Sequence, residues 1–514
     1  MRIKEVRASN FRVLGDARLE LDDMTALIGS NGSGKTAMLL AIARFFDKAE
    51  TMHSANFGRK DLPITVTVVA EGEAGQTTEV TREWKADTGR DRAVSAGYTH
   101  GNNALAGLDE LLKARVVYVP AGTELSSGSG GRRVKRDTVL QSLIDSVAGR
   151  RETGAPRRGD GQEMDRADLE RVEETINKKL GARDGIGYSP SICVRLRFGD
   201  PVGRTGLMMD ITDRETGREL DYAHVGHGAR RALHMAALET DADILGKGGA
   251  VTLYIIDEPE LHQHPMRQAL VLGALRKLSE APSSQVIYAT HSPYLVELGP
   301  RMRICRIRRL GERTVTQSAP GVEPGGGGAA CPIGEAIFAN GAILVEGYSD
   351  AMVLRDILRA TPYDGRPIID TLASKEIAVM DCGSKYNIEH YYRALVRLGI
   401  ACFVLWDGDM GMKEAPALAQ AQSTNTKLLE IIGEAGRARE IQRAGACDCI
   451  VGANWACFGH DLPSYFARYS DSGPKELERK VKGGMGIVSM LDARFSQSEF
   501  CKAALPSLCR TLLE

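Results

Sequence analysis

The sequence predicts an α/β chain of two consecutive domains, each built on a parallel sheet. Three observations predict it. A strand at residues 25–28 runs straight into a glycine-rich loop and then an apolar-striped helix at 36–46. The almost wholly apolar segment 251–256 has the character of a strand buried on both faces, as at the centre of a parallel sheet. Beyond residue 340 a second β-α-β alternation begins, with strands at 342–345, 377–380 and 401–406 and helices at 349–361 and 386–398.

In order along the chain, residues 3–6 form a first strand, and 64–70 with 77–84 alternate as an antiparallel pair. Residues 115–119 read as a short buried strand. Between about 122 and 188 glycine, arginine and aspartate rise and helical periodicity appears at 138–147 and 168–180, which marks a helical insertion. Strands return at 192–198 and 207–212, followed by a helix at 229–245, a helix at 265–278 and a strand at 285–289. Gly325 to Gly328, just after Pro320 and Pro324, is the clearest linker. It divides the chain into domains 1–325 and 330–514, the second ending in a helix at 498–513.

Composition bounds the function. The 514 residues are 43% hydrophobic and 26% charged, as in ordinary globular proteins. Sixty-six Lys and Arg against 67 Asp and Glu leave a net charge of −1, so DNA contact needs a local patch rather than a global basic field. The basic runs 132–136, 150–158 and 301–309 are candidates, although such runs are more often solvated faces. No apolar segment has the length of a membrane span or a leader, and the ten cysteines are scattered, so a cytoplasmic protein without membrane association is expected. Cys447, Cys449, Cys457 and His460 lack zinc-knuckle spacing and are better read as core residues.

Two constellations carry chemistry. The first is the loop Gly29, Ser30, Asn31, Gly32, Ser33, Gly34, Lys35, Thr36. Its glycines let backbone N–H groups turn onto phosphate oxygens, Lys35 reaches the terminal phosphates, and Thr36 can ligate Mg²⁺. ATP is the expected nucleotide. Asp257 and Glu258 end the apolar strand, where the metal-holding and water-activating acids of an ATPase belong. The second constellation is Glu346 directly after one strand, Asp350 one helical turn on, and Asp407 with Asp409 directly after another strand. Carboxylates at the carboxyl ends of parallel strands suit Mg²⁺ or Mn²⁺ against a phosphate. Taken alone, Asp407-Gly-Asp409 is an ordinary acidic turn; Glu346 and Asp350 make it a metal-site candidate.

These residues carry a resemblance. Residues 3–12, the P-loop, Asp257-Glu-Pro-Glu260-Leu-His262-Gln-His-Pro265 and Thr290-His291-Ser292 resemble the ABC-type ATPase heads shared with RecF and SMC proteins. The resemblance implies that His291 senses the γ-phosphate. It places a signature segment at His224-Val-Gly226-His227-Gly228-Ala-Arg230-Arg231, where the customary serine is missing. Backbone N–H groups and Arg230 or Arg231 would then reach a partner's ATP. Glu346 with Asp407-x-Asp409 resembles a TOPRIM domain. An ABC head with a dimerising helical insertion ahead of a TOPRIM domain resembles the OLD (overcoming lysogenization defect) family of nucleases. That resemblance implies an ATP-regulated, metal-dependent endonuclease acting on double-stranded DNA in phage defence or repair, a homodimer or higher oligomer, and in some relatives a helicase partner. It also implies a catalytic lysine near the C-terminus, for which Lys502 is chosen over Lys480 and Lys482. A DNA-binding sensor without cleavage, or a topoisomerase or primase, remains as the alternative.

Overall fold

The computed structural model describes residues 1–47, 51–72, 75–87, 92–100, 111–121, 166–181, 188–189, 191–198, 207–220, 225–245, 251–299, 301–311, 313–320, 331–332, 334–445, 448–483 and 486–513. The chain forms two compact units, Met1–Ala330 and Cys331–Glu514.

The first unit holds two six-stranded sheets. The antiparallel one contains β1 (Arg2–Phe11), β2 (Leu14–Glu20), β4 (Thr51–His53), β5 (Ile64–Glu71), β6 (Thr77–Ala86) and β7 (Arg92–His100), in the order β2-β1-β5-β6-β7-β4. The other contains β3 (Met24–Ile28), β8 (Arg115–Val119), β12 (Thr252–Asp257), β13 (Ser284–Ala289), β14 (Met302–Leu310) and β15 (Arg313–Ala319), in the order β15-β14-β3-β13-β12-β8. All its pairings are parallel except β14 with the edge strand β15. Helix α1 (Lys35–Phe46) is packed between the sheets, and Met38, Leu39, Ile42 and Phe45 share one core with Val66 and Val68 of the first sheet and Ile255 and Ile287 of the second. Each such side chain, fully buried, contributes about 1.5–3 kcal/mol. The Gln285 side chain joins the sheets by accepting from Ile3 N at 2.7 Å and donating to Ile3 O at 2.8 Å. Every residue of β12 is buried, as its apolar run requires.

A three-stranded sheet of β9 (Ile192–Phe198), β10 (Leu207–Asp213) and β11 (Glu219–Leu220) accompanies helix α2 (Arg166–Leu180), helix α3 (His227–Leu245) and helix α4 (Pro265–Glu280). Of the expected helical insertion, only α2 falls on described residues. The linker at 325–328 and the basic runs at 132–136 and 150–158 lie outside them. The run 301–309 is not a free basic face: Arg306 is buried, and Arg303 is tied to Glu20 at 2.7 Å and to Asp22 at 3.0 Å. Strand alternation turns every second side chain inward, so a row of arginines along one strand cannot form one surface.

The second unit is a five-stranded sheet of β16 (Gly341–Val345), β17 (Ile377–Asp381), β18 (Ala401–Asp407), β19 (Cys449–Val451) and β20 (Trp455–Phe458), in the order β17-β16-β18-β20-β19. The first four run parallel in that order, and β19 is the antiparallel edge. Helix α5 (Tyr348–Ala360) links β16 to β17, and helix α6 (Lys385–Arg397) leads from β17 towards β18, with α7 (Ala415–Ile432) beyond. Ile343, Val345, Phe403 and Leu405 share a core with Leu354 and Ile357 of α5, whereas α6 covers the opposite face. The expected terminal helix at 498–513 is split: a wider π-type turn, Phe500–Ala504, precedes the α-helix Leu505–Leu513. Pro506 lacks an N–H and cannot continue the regular ladder into that turn.

Candidate functional site

The P-loop follows β3. Gly29 has φ 147°, and a Cβ there would lie 2.3 Å from the Ile307 carbonyl, so only glycine allows the loop to leave the sheet so tightly. Gly34, at φ 111°, would meet Leu14 at 2.7 Å. Lys35 is buried, and its Nζ donates to Gly29 O at 2.9 Å and Ser30 O at 3.1 Å. Burial lowers its pKa, with Glu258, Asp257 and Glu260 opposing. Ser33 Oγ is buried with no hydrogen-bond partner among the described residues. An ammonium resting on loop carbonyls beside an unsatisfied hydroxyl fits a phosphate cradle.

Asp257 ends β12 inside the core. The Thr36 hydroxyl donates to its carboxylate, while Asp257 Oδ1 is buried without a donor. Burial raises its pKa. Thr36 and the unpaired oxygen suit a nucleotide-bound Mg²⁺. Glu258 takes a left-handed backbone, φ 48°, with its N–H donating to Ala289 O at 2.9 Å. Its Oε1 lies 3.9 Å from His291 Nε2. The His291 pKa is lowered by burial and then by Lys35, with Glu258 opposing. Gly29, Asn31, Gly32, Ser33, Gly34, Lys35, Thr36, Asp257, Glu258 and His291 therefore share one edge of the first unit's parallel sheet.

Glu260 and Arg231 support this site from behind. Glu260, held high by burial, accepts from His291 N at 2.7 Å and fixes the histidine loop. The resemblance to ABC-type heads implies that Arg230 or Arg231 reaches a partner's ATP. The buried Arg231 guanidinium instead donates to Asp257 O, to Glu258 O at 2.7 Å and to Pro120 O at 3.0 Å. It is committed within its own chain. Arg230 Nε likewise donates to Val225 O at 2.7 Å. Gly226 precedes α3, and Gly228 is required by packing, since a Cβ would lie 2.8 Å from His262 O.

In the second unit, β16 and β18 are paired with Val345 opposite Leu405, so Glu346 and Asp407 leave the sheet side by side. Glu346 Oε1 accepts from Asp407 N at 2.8 Å, and Asp407 Oδ1 accepts from Leu462 N at 2.9 Å. A Cβ on Gly408 would lie 2.6 Å from Phe458 O and 2.7 Å from Gly459 O, which explains the glycine between the aspartates. Asn425 secures this turn, accepting from Trp406 Nε1 at 3.1 Å and donating to Gly408 O at 2.7 Å. Asp409 has φ 59° and donates its N–H to His460 O at 2.7 Å. Asp350 Oδ2 accepts from Gly347 N at 3.0 Å.

Burial, then the neighbouring acids, drives this cluster upward. Glu346 is pushed up to about 7 by burial, against Lys385, and Asp350 to about 6. Asp407 is raised well above the carboxylate range by burial and by Glu346. Such crowding wants a cation. The structure supplies one that the sequence reading missed: Lys385, buried at the first turn of α6, donates Nζ to Asp407 O and to Asp409 Oδ2 at 2.8 Å. Its only sequence signal is a lysine just after the Ser384 cap, at the same strand–helix edge.

Lys502 is exposed and makes no ion pair with the acids among the described residues. Its π-type turn does lie at their end of the sheet, because Phe500 stacks 5.8 Å from Phe458, the register partner of Asp407. Lys480 pairs with Glu476 at 2.8 Å and Lys482 with Glu478 at 2.6 Å, which leaves both on the α-helix Pro474–Lys482. Cys449 and Cys457 are buried, with thiols pushed up by burial; Cys447 lies outside the described residues.

As a donor set, Glu346, Asp407, Asp409 and Asp350 offer hard oxygens suited to Mg²⁺ or Mn²⁺. Among the described residues no three His, Cys, Asp or Glu side chains form a ready coordination shell. Asp409 faces Lys385 and Asp350 faces Gly347 N. No helix among the described residues is long and apolar enough to cross a membrane.

Comparison with known proteins identifies the two domains. Residues 1–87 and 143–296 match the AAA ATPase domain family, and residues 337–409 match the TOPRIM domain of overcoming-lysogenization-defect-protein-like proteins. The chain is 25% identical over 450 residues to the OLD nuclease of Thermus scotoductus, covering 79% of this chain and 82% of that one. It is 24% identical over 342 residues to the Old nuclease of Escherichia phage P2, covering 57% and 56%. Among solved structures, the SMC head bound to the C-terminal winged-helix domain of ScpA matches at TM-score 0.41 and 15% identity, over 62% of this chain and 98% of that one. The SMC head of Thermotoga maritima matches at TM-score 0.33 and 16% identity, over 62% and 99%. The chain thus carries an AAA ATPase domain followed by a TOPRIM domain of the overcoming-lysogenization-defect type.

Proposed function

We propose that the protein is an ATP-regulated, divalent-metal-dependent DNA endonuclease of the OLD type. The observation that carries this reading is the grouping of Glu346, Asp407 and Asp409 at the carboxyl ends of adjacent parallel strands, where burial pushes the carboxyls of Glu346 and Asp407 up. Two relatives named as OLD nucleases support it.

Mg²⁺ or Mn²⁺ held by Glu346, Asp407 and Asp409, with Asp350 close by, would supply charge neutralisation at the scissile phosphate and activation of water. The chain's residues do the rest. Asn425 and Gly408 fix the turn that presents Asp407 and Asp409. Lys385 balances the acids' charge and holds Asp409 in place. Lys502, exposed at the same end of the sheet, is positioned to meet the phosphate backbone of DNA.

In the ATPase unit, Lys35 and the P-loop N–H groups would bind the ATP phosphates, Thr36 and Asp257 would hold its metal, Glu258 would orient water, and His291 would read the γ-phosphate. Gly226 and Gly228, at the start of α3, would meet ATP held by a second copy, which makes a homodimer or higher oligomer the working form. The division into two compact units, Met1–Ala330 and Cys331–Glu514, supports assigning one activity to each. Phage defence or DNA repair in the cytoplasm, alone or with a helicase, is the setting this chemistry suits.

The test is a supercoiled plasmid incubated with the protein and Mn²⁺, with and without ATP. Open circles should form, and Glu346→Ala should abolish them while still binding a fluorescent ATP analogue. Nicking that persists in Glu346→Ala would overturn the site.

A further inference from the structure

The acid cluster of the second unit is bordered by large apolar side chains that the fold does not use. Tyr348 is 68% exposed, Tyr386 55% and Met412 45%. Among the described residues of this unit, only Val396 is a comparably exposed large hydrophobic. The other three all belong to the acid site. Tyr348 opens α5 between Glu346 and Asp350, Tyr386 directly follows Lys385 at the start of α6, and Met412 N donates to Asp409 O at 3.3 Å.

Topology sets the two tyrosines on either side of the acids. Both α5 and α6 start at the carboxyl edge of the sheet, but α5 covers one face and α6 the other. Tyr348 and Tyr386 therefore flank the edge where Glu346, Asp407 and Asp409 emerge. Among the described residues neither ring joins an aromatic or cation–π pair, and neither hydroxyl forms a hydrogen bond. Lone exposed tyrosines are ordinary. Two of them flanking a phosphodiester-cleaving site, each with an unused π face, match what binds nucleobases that have left their stack. Bases inside an intact duplex are stacked on each other and offer no face to such rings.

We propose that Tyr348 and Tyr386 form a base-stacking rim that selects single-stranded or locally unpaired DNA over intact duplex at the acid cluster. Met412 extends the apolar rim on the Asp409 side. This inference rests on the nuclease reading of the same site. A supercoiled plasmid, which exposes unpaired segments, remains a substrate.

The test uses the full chain and oligonucleotides carrying 2-aminopurine, whose fluorescence falls on stacking with a protein ring. With Ca²⁺ present to allow binding, the wild type should quench a single strand and bind it at least about tenfold more tightly than the matching blunt duplex. Tyr348→Ala and Tyr386→Ala should each weaken single-strand binding by about tenfold and relieve the quench, while Tyr348→Phe and Tyr386→Phe keep both. ATP-analogue binding should be unchanged in all four variants. Equal or tighter binding of duplex by the wild type, or unaltered quenching in both alanine variants, would overturn the proposal. Cleavage that is unaffected by Glu346→Ala would instead overturn the nuclease reading beneath it.

Discussion

Neutralising one carboxylate should make the metal-free second unit more stable, and chiefly at high pH. Glu346 is pushed from its ordinary 4.5 up to about 7, chiefly by burial. A folded-state pKa above the unfolded one means that the folded protein holds a proton that the unfolded chain releases. Stability from this group is therefore complete below pH 4.5, falls as pH rises, and is lost above about 7. The shift corresponds to about 3 kcal/mol at about 1.4 kcal/mol per pH unit. Glu346→Gln keeps an oxygen to accept the Asp407 N–H, a bond of 2.8 Å, and removes the charge. In EDTA at pH 8 the variant should be about 3 kcal/mol more stable than the wild type, raising Tm by roughly 6–12 °C for a domain of this size. At pH 5, where only the folded state keeps Glu346 fully protonated, the gap should shrink to about 1 kcal/mol. Tryptophan fluorescence is the natural probe, because Trp406 and Trp455 sit 5.2 Å apart in this unit and only Trp84 lies in the other. A variant no more stable at pH 8 than at pH 5, relative to wild type, would refute the reasoning.

Other perturbations follow from the same geometry. Gly408→Ala places a Cβ 2.6 Å from Phe458 O and should cost about 1–3 kcal/mol, read by urea denaturation, with nicking lost as the Asp407-Asp409 turn shifts. Lys385→Met leaves the Asp409 side of the cluster without its ammonium; because Asp409 is partly exposed, the loss should be about 2 kcal/mol, less than a fully buried pair, and added Mn²⁺ should recover more stability in the variant than in the wild type, as measured by thermal melts. Glu258→Gln should bind ATP normally and hydrolyse it at least about a hundredfold more slowly, checked by phosphate release.

The parts of both sites that the sequence displayed are those packed into short spans. Gly29 to Thr36, Asp257-Glu258 and Asp407-Gly-Asp409 each sit at the end of an apolar strand, so spacing alone reports their position. Lys385 and the contact of Glu260 with the histidine loop are not legible in the sequence because they depend on contacts made across the fold. Lys385 reaches Asp409 only because the strand order sets β16 between β17 and β18, and α6, which follows β17, packs against β18. Arg231 misled for the opposite reason: next to a signature-like segment it suggests a reach outward, but burial turns it onto the carbonyls of Asp257 and Glu258. The arginines of 301–309 show the same limit, since sequence counts charges and cannot say that Arg306 faces inward.

The most direct measurement of the central claim compares plasmid nicking and ATP hydrolysis in Asp407→Ala and Lys35→Ala. The account predicts that Asp407→Ala loses all metal-dependent nicking and keeps its ATPase activity, while Lys35→Ala loses ATP hydrolysis and any response of nicking to ATP but still cuts with Mn²⁺. Nicking by Asp407→Ala at the wild-type rate would contradict it.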